Sequence, residues 1–439
     1  MQKMRRTLLR AVSIAVVAAL VPAASRAGDV LTVDRLFELL EENSSALSTA
    51  RAGAEAARHG VAAAKSARLP DIEAALSLSY TGNIVMTDRD FGDAQAFSTP
   101  HWGGSLSVEA VQTVYSGGAL TAGVRLAEIE MMQAENGVTA TRNTQRFLAI
   151  AQYLELMETD NNIRVYEENI ALTERLIEDV QAKREQGMAL RNDITRHELQ
   201  RETMRLALRE ARDRRDVLNH RLCNTLRLDD GTTIIPDTTL MRLSEQEEEA
   251  HWQQKAALSA PEIITASLNT QAAEQQLRLA RSERLPKLLA FAADNFSGPY
   301  NYDIPPIDNN FNVWYVGIGI TYSISSLFKA NKQVRRAEAS LRESHEAREQ
   351  TAEDTDNRVN EAYTLYLQAF ANYRTRQKSA QLARENYEVV YNRYLNDVAL
   401  ITDMTDALNV RLSAELDETD ARIRIVYTYY KMKYAAGDI

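Results

Sequence analysis

The 439-residue sequence holds a single cysteine, Cys223, so no disulfide can form within the chain. It holds nine prolines, and none falls in 119–235 or in 307–439, which leaves two very long stretches free of the ring that breaks helices. Basic residues are in the minority, 51 Lys and Arg against 61 Asp and Glu, which excludes a basic nucleic-acid-binding surface. After Ala27 no run approaches the ~18 apolar residues of a membrane-spanning helix. Catalytic chemistry is also missing. There is no Gly-Lys-Ser/Thr phosphate loop and no Gly-x-Ser-x-Gly elbow, and His197-Glu198 has Arg201 where a zinc protease would have its second histidine. The six histidines His59, His101, His197, His220, His251 and His345 are scattered, and the eleven methionines are not clustered. No catalytic residue, metal site or cofactor is expected, and the chain is not read as an enzyme. His197 reads as an ordinary polar helix residue and Cys223 as a small packed one.

What is present begins with a secretory signal over 1–27. Lys3, Arg5, Arg6 and Arg10 precede the apolar stretch Ala11 to Ala24, and Ser25-Arg26-Ala27 suits cleavage. Removing its five positive charges leaves 46 basic against 61 acidic residues, −15 over 412 residues. Gly28, not cysteine, follows the cut, so no lipid anchor is expected.

The remainder is one unit written twice. Arg-Leu-Pro at 68–70 returns at 284–286, an offset of 216. Further on the offset is 210: Val124, Ala127 and Glu128 match Val334, Ala337 and Glu338, Tyr153 matches Tyr363, and Ala189, Leu190 and Asp193 match Ala399, Leu400 and Asp403. The predicted organisation is a first repeat over 28–230, an inter-repeat or equatorial segment over 231–258, and a second repeat over 259–439. Each repeat reads as a helix (32–67 and 259–283), two strands, a long helix and a return helix. The acidic run Glu245 to Glu249 reads as a solvated linker.

Within the long segments, Ile163, Tyr166, Ile170, Thr173, Ile177 and Val180 step by three and four, a coiled-coil seam. Gly187-Met188-Ala189 and Asn396-Asp397 interrupt the pattern, so each copy is predicted to fold back there. Strands are predicted at 71–86, 102–115, 287–296 and 312–324. Ile72, Ala74, Leu76, Leu78 and Tyr80 alternate with polar residues, as do Trp314, Val316, Ile318, Ile320 and Tyr322 with small ones. The segments 71–118 and 287–328 hold 14 of the 30 aromatic residues, a density suited to the interfacial girdles of a membrane barrel. Four strands cannot close a barrel, and lipid leaves open sheet edges unsatisfied, so other chains must pair them.

The duplicated order, with Ser66-Ala67-Arg68-Leu69-Pro70 and Val334-Arg335-Arg336-Ala337-Glu338, resembles the TolC-type outer-membrane efflux protein family over the whole mature chain. The fold class expected is mainly α with membrane β-strands. The resemblance implies a homotrimer sharing a twelve-stranded β-barrel on an α-helical periplasmic barrel. It further implies an equatorial region built partly from 228–258, a place in the outer membrane, and partnership with a periplasmic adaptor and an inner-membrane pump. An equatorial strand from a long C-terminal extension is not expected, and Ser45 stands where the second copy has Pro261. The cargo, small molecules or polypeptides, stays open.

Asp403 and Asp406 are the candidate gate. They lie three residues apart, share a helix face, and would form two rings of carboxylates that favour cations. Asp403 has a counterpart in Asp193, so a shared capping role is equally compatible with it, whereas Asp406 answers Arg196. The resemblance likens Ile401 to Ala407 to the family's entrance constriction. It makes Tyr394 a gate-tie candidate with Asp193 as acceptor, while Ala399 replaces a basic latch residue. The competing reading is a periplasmic coiled-coil adaptor or adhesin, which would not need two symmetric pairs of amphipathic strands.

Overall fold

A computed structural model describes residues 30–229, 231–241, 248–301, 303 and 305–439. The signal over 1–27 and the acidic residues up to 247 lie outside the described residues. In chain order the elements are β1 (Val30–Leu31), α1 (Val33–Asn43), α2 (Ser45–Ser66), β2 (Asp71–Tyr80), β3 (Ile84–Met86), β4 (Gln95–Phe97), β5 (Trp102–Tyr115), α3 (Ala119–Glu185) and α4 (Arg191–Leu226). There follow β6 (Ile235–Pro236), a 3-10 turn (Thr238–Met241), α5 (Glu249–Ser259), α6 (Pro261–Ser282), β7 (Lys287–Gly298), β8 (Phe311–Thr321), α7 (Ser326–Leu395) and α8 (Ile401–Ala435).

The proline-free stretches form α3, 67 residues long, and α7, 70 residues long. Each runs roughly 100 Å at ~1.5 Å per residue. The continuous helix read over 32–67 is instead two helices. Ser44 leaves the helical region at ψ 120°, and its hydroxyl accepts the Leu47 N–H at 3.3 Å, capping α2. Ala260 makes the same break at ψ 123°, with Pro261 in the first turn of α6. The helix pair α5–α6 thus repeats α1–α2 at an offset of 216, and the segment 231–258 contains α5. Ser45 and Pro261 hold equivalent first-turn positions, so the local mismatch in sequence leaves the geometry unchanged.

β2, β5, β7 and β8 form one antiparallel sheet in that order, joining the two copies through β5 and β7. The strand read as 71–86 ends at Tyr80, and residues 84–86 pair separately with β4 inside the loop. The fourth strand ends at Thr321 and not at 324 because Ser323 turns into α7, accepting the N–H of Ser326 at 2.9 Å. Leu76 pairs with Leu106, and Ile318 with Ala290, so one face is largely apolar. Asp294, beside Trp314, and Asn312, beside Phe296, mark its loop end. There Tyr80 also meets Trp102 edge-on at 5.4 Å. The opposite face is polar, with Ser77 and Ser105 hydroxyls 2.8 Å apart. Gly317 is needed on that face because the Phe291 ring lies across it, 2.7 Å from where a Cβ would stand. No helix among the described residues is long and apolar enough to cross a membrane.

Halfway down the helices a core gathers Leu36, Leu40, Ile150, Leu154, Leu222 and Val426. Tyr153 sits fully buried in it, donates to the Leu31 carbonyl, and accepts the Asp237 N–H at 2.6 Å. It thereby fastens the parallel pair β1–β6 to α3, and burial pushes its hydroxyl up to about 12. Cys223 is buried in the same core, as its helical setting implied.

Candidate functional site: the two hairpin tips

Both long helices end in the same turn. The Met188 N–H donates to the Lys183 carbonyl at 2.9 Å and the Val398 N–H to the Arg393 carbonyl at 2.8 Å, the six-residue closure of a Schellman motif. That motif needs a left-handed residue. Gly187 supplies it with φ 81° in the first copy and Asp397 with φ 62° in the second. The return helices then start alike. The backbone N–H of Leu190 donates to Asp193 Oδ2, and that of Leu400 to Asp403 Oδ2, each at 3.0 Å. Asp193 and Asp403 are therefore caps in both copies, each also favoured by the positive end of its helix.

Asp406 is different. It lies exposed one turn further along α8 and has no polar partner among the described residues. Asp403 is exposed beside it, with its other oxygen free of any bond among the described residues.

The tips are joined by contacts that the sequence did not indicate. Lys183, in the last turn of α3, donates to Asp397 Oδ1 at 2.6 Å and to the Tyr394 carbonyl at 3.0 Å, closing the end of α7. Tyr391 donates its hydroxyl to Asp179. Gln200 reaches Asn409 at 2.8 Å. Beneath these bonds Ile177, Val180, Ile194, Met204, Tyr387, Met404 and Leu408 share one apolar cluster. Tyr394 belongs to that cluster. Burial, then the charges of Asp193 and Asp397, push its hydroxyl up to about 12. Tyr394 and Asp193 occupy the same tip, but no hydrogen bond joins them. The Tyr394 ring instead packs edge-on against His197 at 6.1 Å and under the Lys183 ammonium at 5.8 Å.

His197 is fully buried, not a solvated helix residue. Its counterpart at an offset of 210 is Ala407, itself buried, so the repeat contained the signal that this position is core. Lys183 and Asp397 carried no such signal, being 214 positions apart in different copies.

Residues 252–436, most of the second copy, match the outer membrane efflux protein family. The chain is similar to that family. Among curated proteins none matches this efflux protein in sequence. Its fold matches the outer membrane protein VceC of Vibrio cholerae with a TM-score of 0.77 at 16% identity, covering 92% of this chain and 96% of that one. It matches the CmeC outer membrane channel of Campylobacter jejuni with a TM-score of 0.75 at 15% identity, covering 92% and 85%. The open state of the MtrE outer membrane channel of Neisseria gonorrhoeae gives 0.68 at 16%, covering 92% and 88%. The efflux protein is an outer-membrane channel whose helices extend into the periplasm, and the adaptor or adhesin reading is not favoured. The family is one of channels and not an enzyme class.

Proposed function

We propose that this channel is a homotrimer that carries substrates outward from an inner-membrane pump, docked through a periplasmic adaptor, and that its periplasmic end is a cation-selective gate. The observation that carries the trimer is the four-stranded sheet. Its edges β2 and β8 have no partner among the described residues, and Leu76, Leu78, Val316, Ile318 and Ile320 stand exposed on one face. Three copies supply twelve strands, pair every edge and turn that face to lipid. The helices fit the same assembly. Leu199, Leu206 and Val217 on α4 and Leu382 and Val389 on α7 are exposed apolar residues on the flanks of the bundle, where a neighbouring copy would cover them.

For the gate, Asp406 is the stronger carboxylate, because Asp403 already serves a cap. Three copies would stack two rings of three carboxylates at the tip, concentrating negative potential. Tyr394 and Asp193 tie the closed entrance indirectly, one through its packing on α4 and the other through the cap that sets where α4 begins.

Two measurements test this. The purified protein should run as a heat-modifiable trimer after detergent extraction; a monomeric, detergent-independent periplasmic species would overturn the assembly. In planar bilayers, Asp403→Ala with Asp406→Ala should reduce cation selectivity and relieve block by polyvalent cations from the periplasmic side. Unchanged selectivity and block would reject the gate residues.

A further inference from the structure

One group at the tips has a chemistry that neither capping nor the carboxylate rings use. His197 has 0% of its surface exposed, and neither ring nitrogen finds a partner among the described residues. It sits where α4 meets α7, its ring against the edge of Tyr394. An imidazole without a hydrogen bond is tolerated in an apolar cluster only while neutral.

The charges around it offer little relief. On its own helix Asp193, one turn back, favours the charged form and the neighbouring Arg196 opposes it. From α7 it meets Tyr394, whose hydroxyl stays protonated throughout the accessible range, with Asp397 beyond. From α3 comes Lys183, a second positive charge, already paired to Asp397. From α8 the cluster receives Met404 and Leu408, while Asp403 and Asp406 are exposed.

We propose that His197 is an acid-triggered release in the seam between the hairpins: on gaining a proton it parts α4 from α7 and opens the periplasmic end of the channel. The proposal rests on the reading of the tips as the closed end. Protonation brings a charge that the packed site cannot solvate, and the imidazolium gains water only when the seam separates. The direction follows from linkage. Burial lowers the histidine from its ordinary 6.5 to about 4 in the packed seam. The packed form is therefore fully favoured above pH ~6.5 and loses ground as pH falls toward ~4. Between pH 7.5 and 5 the ratio of closed to open seams should fall roughly thirtyfold per protomer, while the carboxylates remain mostly ionised.

The experiment uses the full-length channel in planar bilayers, with the periplasmic side taken from pH 7.5 to 5. In parallel, spin labels at Met188 and Val398 report the distance between the tips. Wild type should show rising conductance and a widening distance over this interval. His197→Leu should remain closed and compact throughout, and His197→Gln, which keeps a polar group but cannot titrate, should likewise lose the pH response. Heat-modifiable mobility establishes that each variant assembles. A distance change in wild type that His197→Leu abolishes supports the release even if conductance does not follow, in which case it is the gate reading that fails. The same pH response in wild type and both variants would overturn the proposal.

Discussion

The two hairpins share their turns, their caps and their length, yet the charges across them run in opposite senses. In the first, Glu174 on the outgoing helix pairs with Arg205 on the return helix at 2.8 Å. At the equivalent positions in the second, 210 residues on, Arg384 on the outgoing helix pairs with Glu415 on the return helix at 2.8 Å. The bias extends along the helices. α3 has 12 acids to 7 bases and α4 has 6 to 9, whereas α7 has 10 to 12 and α8 has 6 to 5. Exchanging the return helices would set Glu174 against Glu415 and Arg384 against Arg205. A duplicated chain faces that hazard because its copies keep the same apolar periodicity. Inverted polarity gives each outgoing helix one suitable partner, in the manner of charges flanking a coiled-coil seam.

The copies differ also in depth. Glu415 is 6% exposed and collects Asn169 at 2.9 Å, Arg384 and Arg411, while the Glu174 pair faces water at 42% and 46% exposure. Glu415→Ala should therefore be the most damaging change, stripping two arginines at once for ~3–5 kcal/mol, read as a lowered thermal midpoint of the assembled channel. Next is a test in which the copies should agree. Ile318→Arg and Ala110→Arg, both on the apolar sheet face, should each cost ~2–4 kcal/mol at mid-membrane; a stability assay finding neither destabilised would take that face out of lipid. At the tips, Gly187→Ala should cost ~1–2 kcal/mol through left-handed strain. Asp397→Gly relieves the same strain while losing the Lys183 pair, and denaturant titration should find it near neutral. The smallest effect is expected from Glu174→Ala, below ~1 kcal/mol for an exposed pair and reduced further by salt.

The parts legible in the sequence are those carried by period and repetition. Alternation from Ile72 to Tyr80 and from Trp314 to Tyr322 placed the sheet, and the absence of proline with two turn signals placed the hairpins. The break at Ser44 was hidden because no proline or glycine stands there and the apolar pattern runs on through it, whereas at Ala260 the following Pro261 agreed with a helix read from 259. Asp403 as a cap was visible through Asp193. The ties that join the tips were not, since Lys183, Asp179 and Tyr391 are ordinary polar residues until two helices from different copies are laid side by side. His197 could have been found, had each residue of the first copy been compared with its partner in the second.

The breaks at Ser44 and Ala260 also have a mechanical consequence. Four helices meet the sheet, α2, α3, α6 and α7, but only α3 and α7 run unbroken from the sheet to the tips. Push or torque applied at the tips travels to the membrane along two stiff rods per chain. The shorter helices α2 and α6 lie alongside as struts, resisting buckling without transmitting the load.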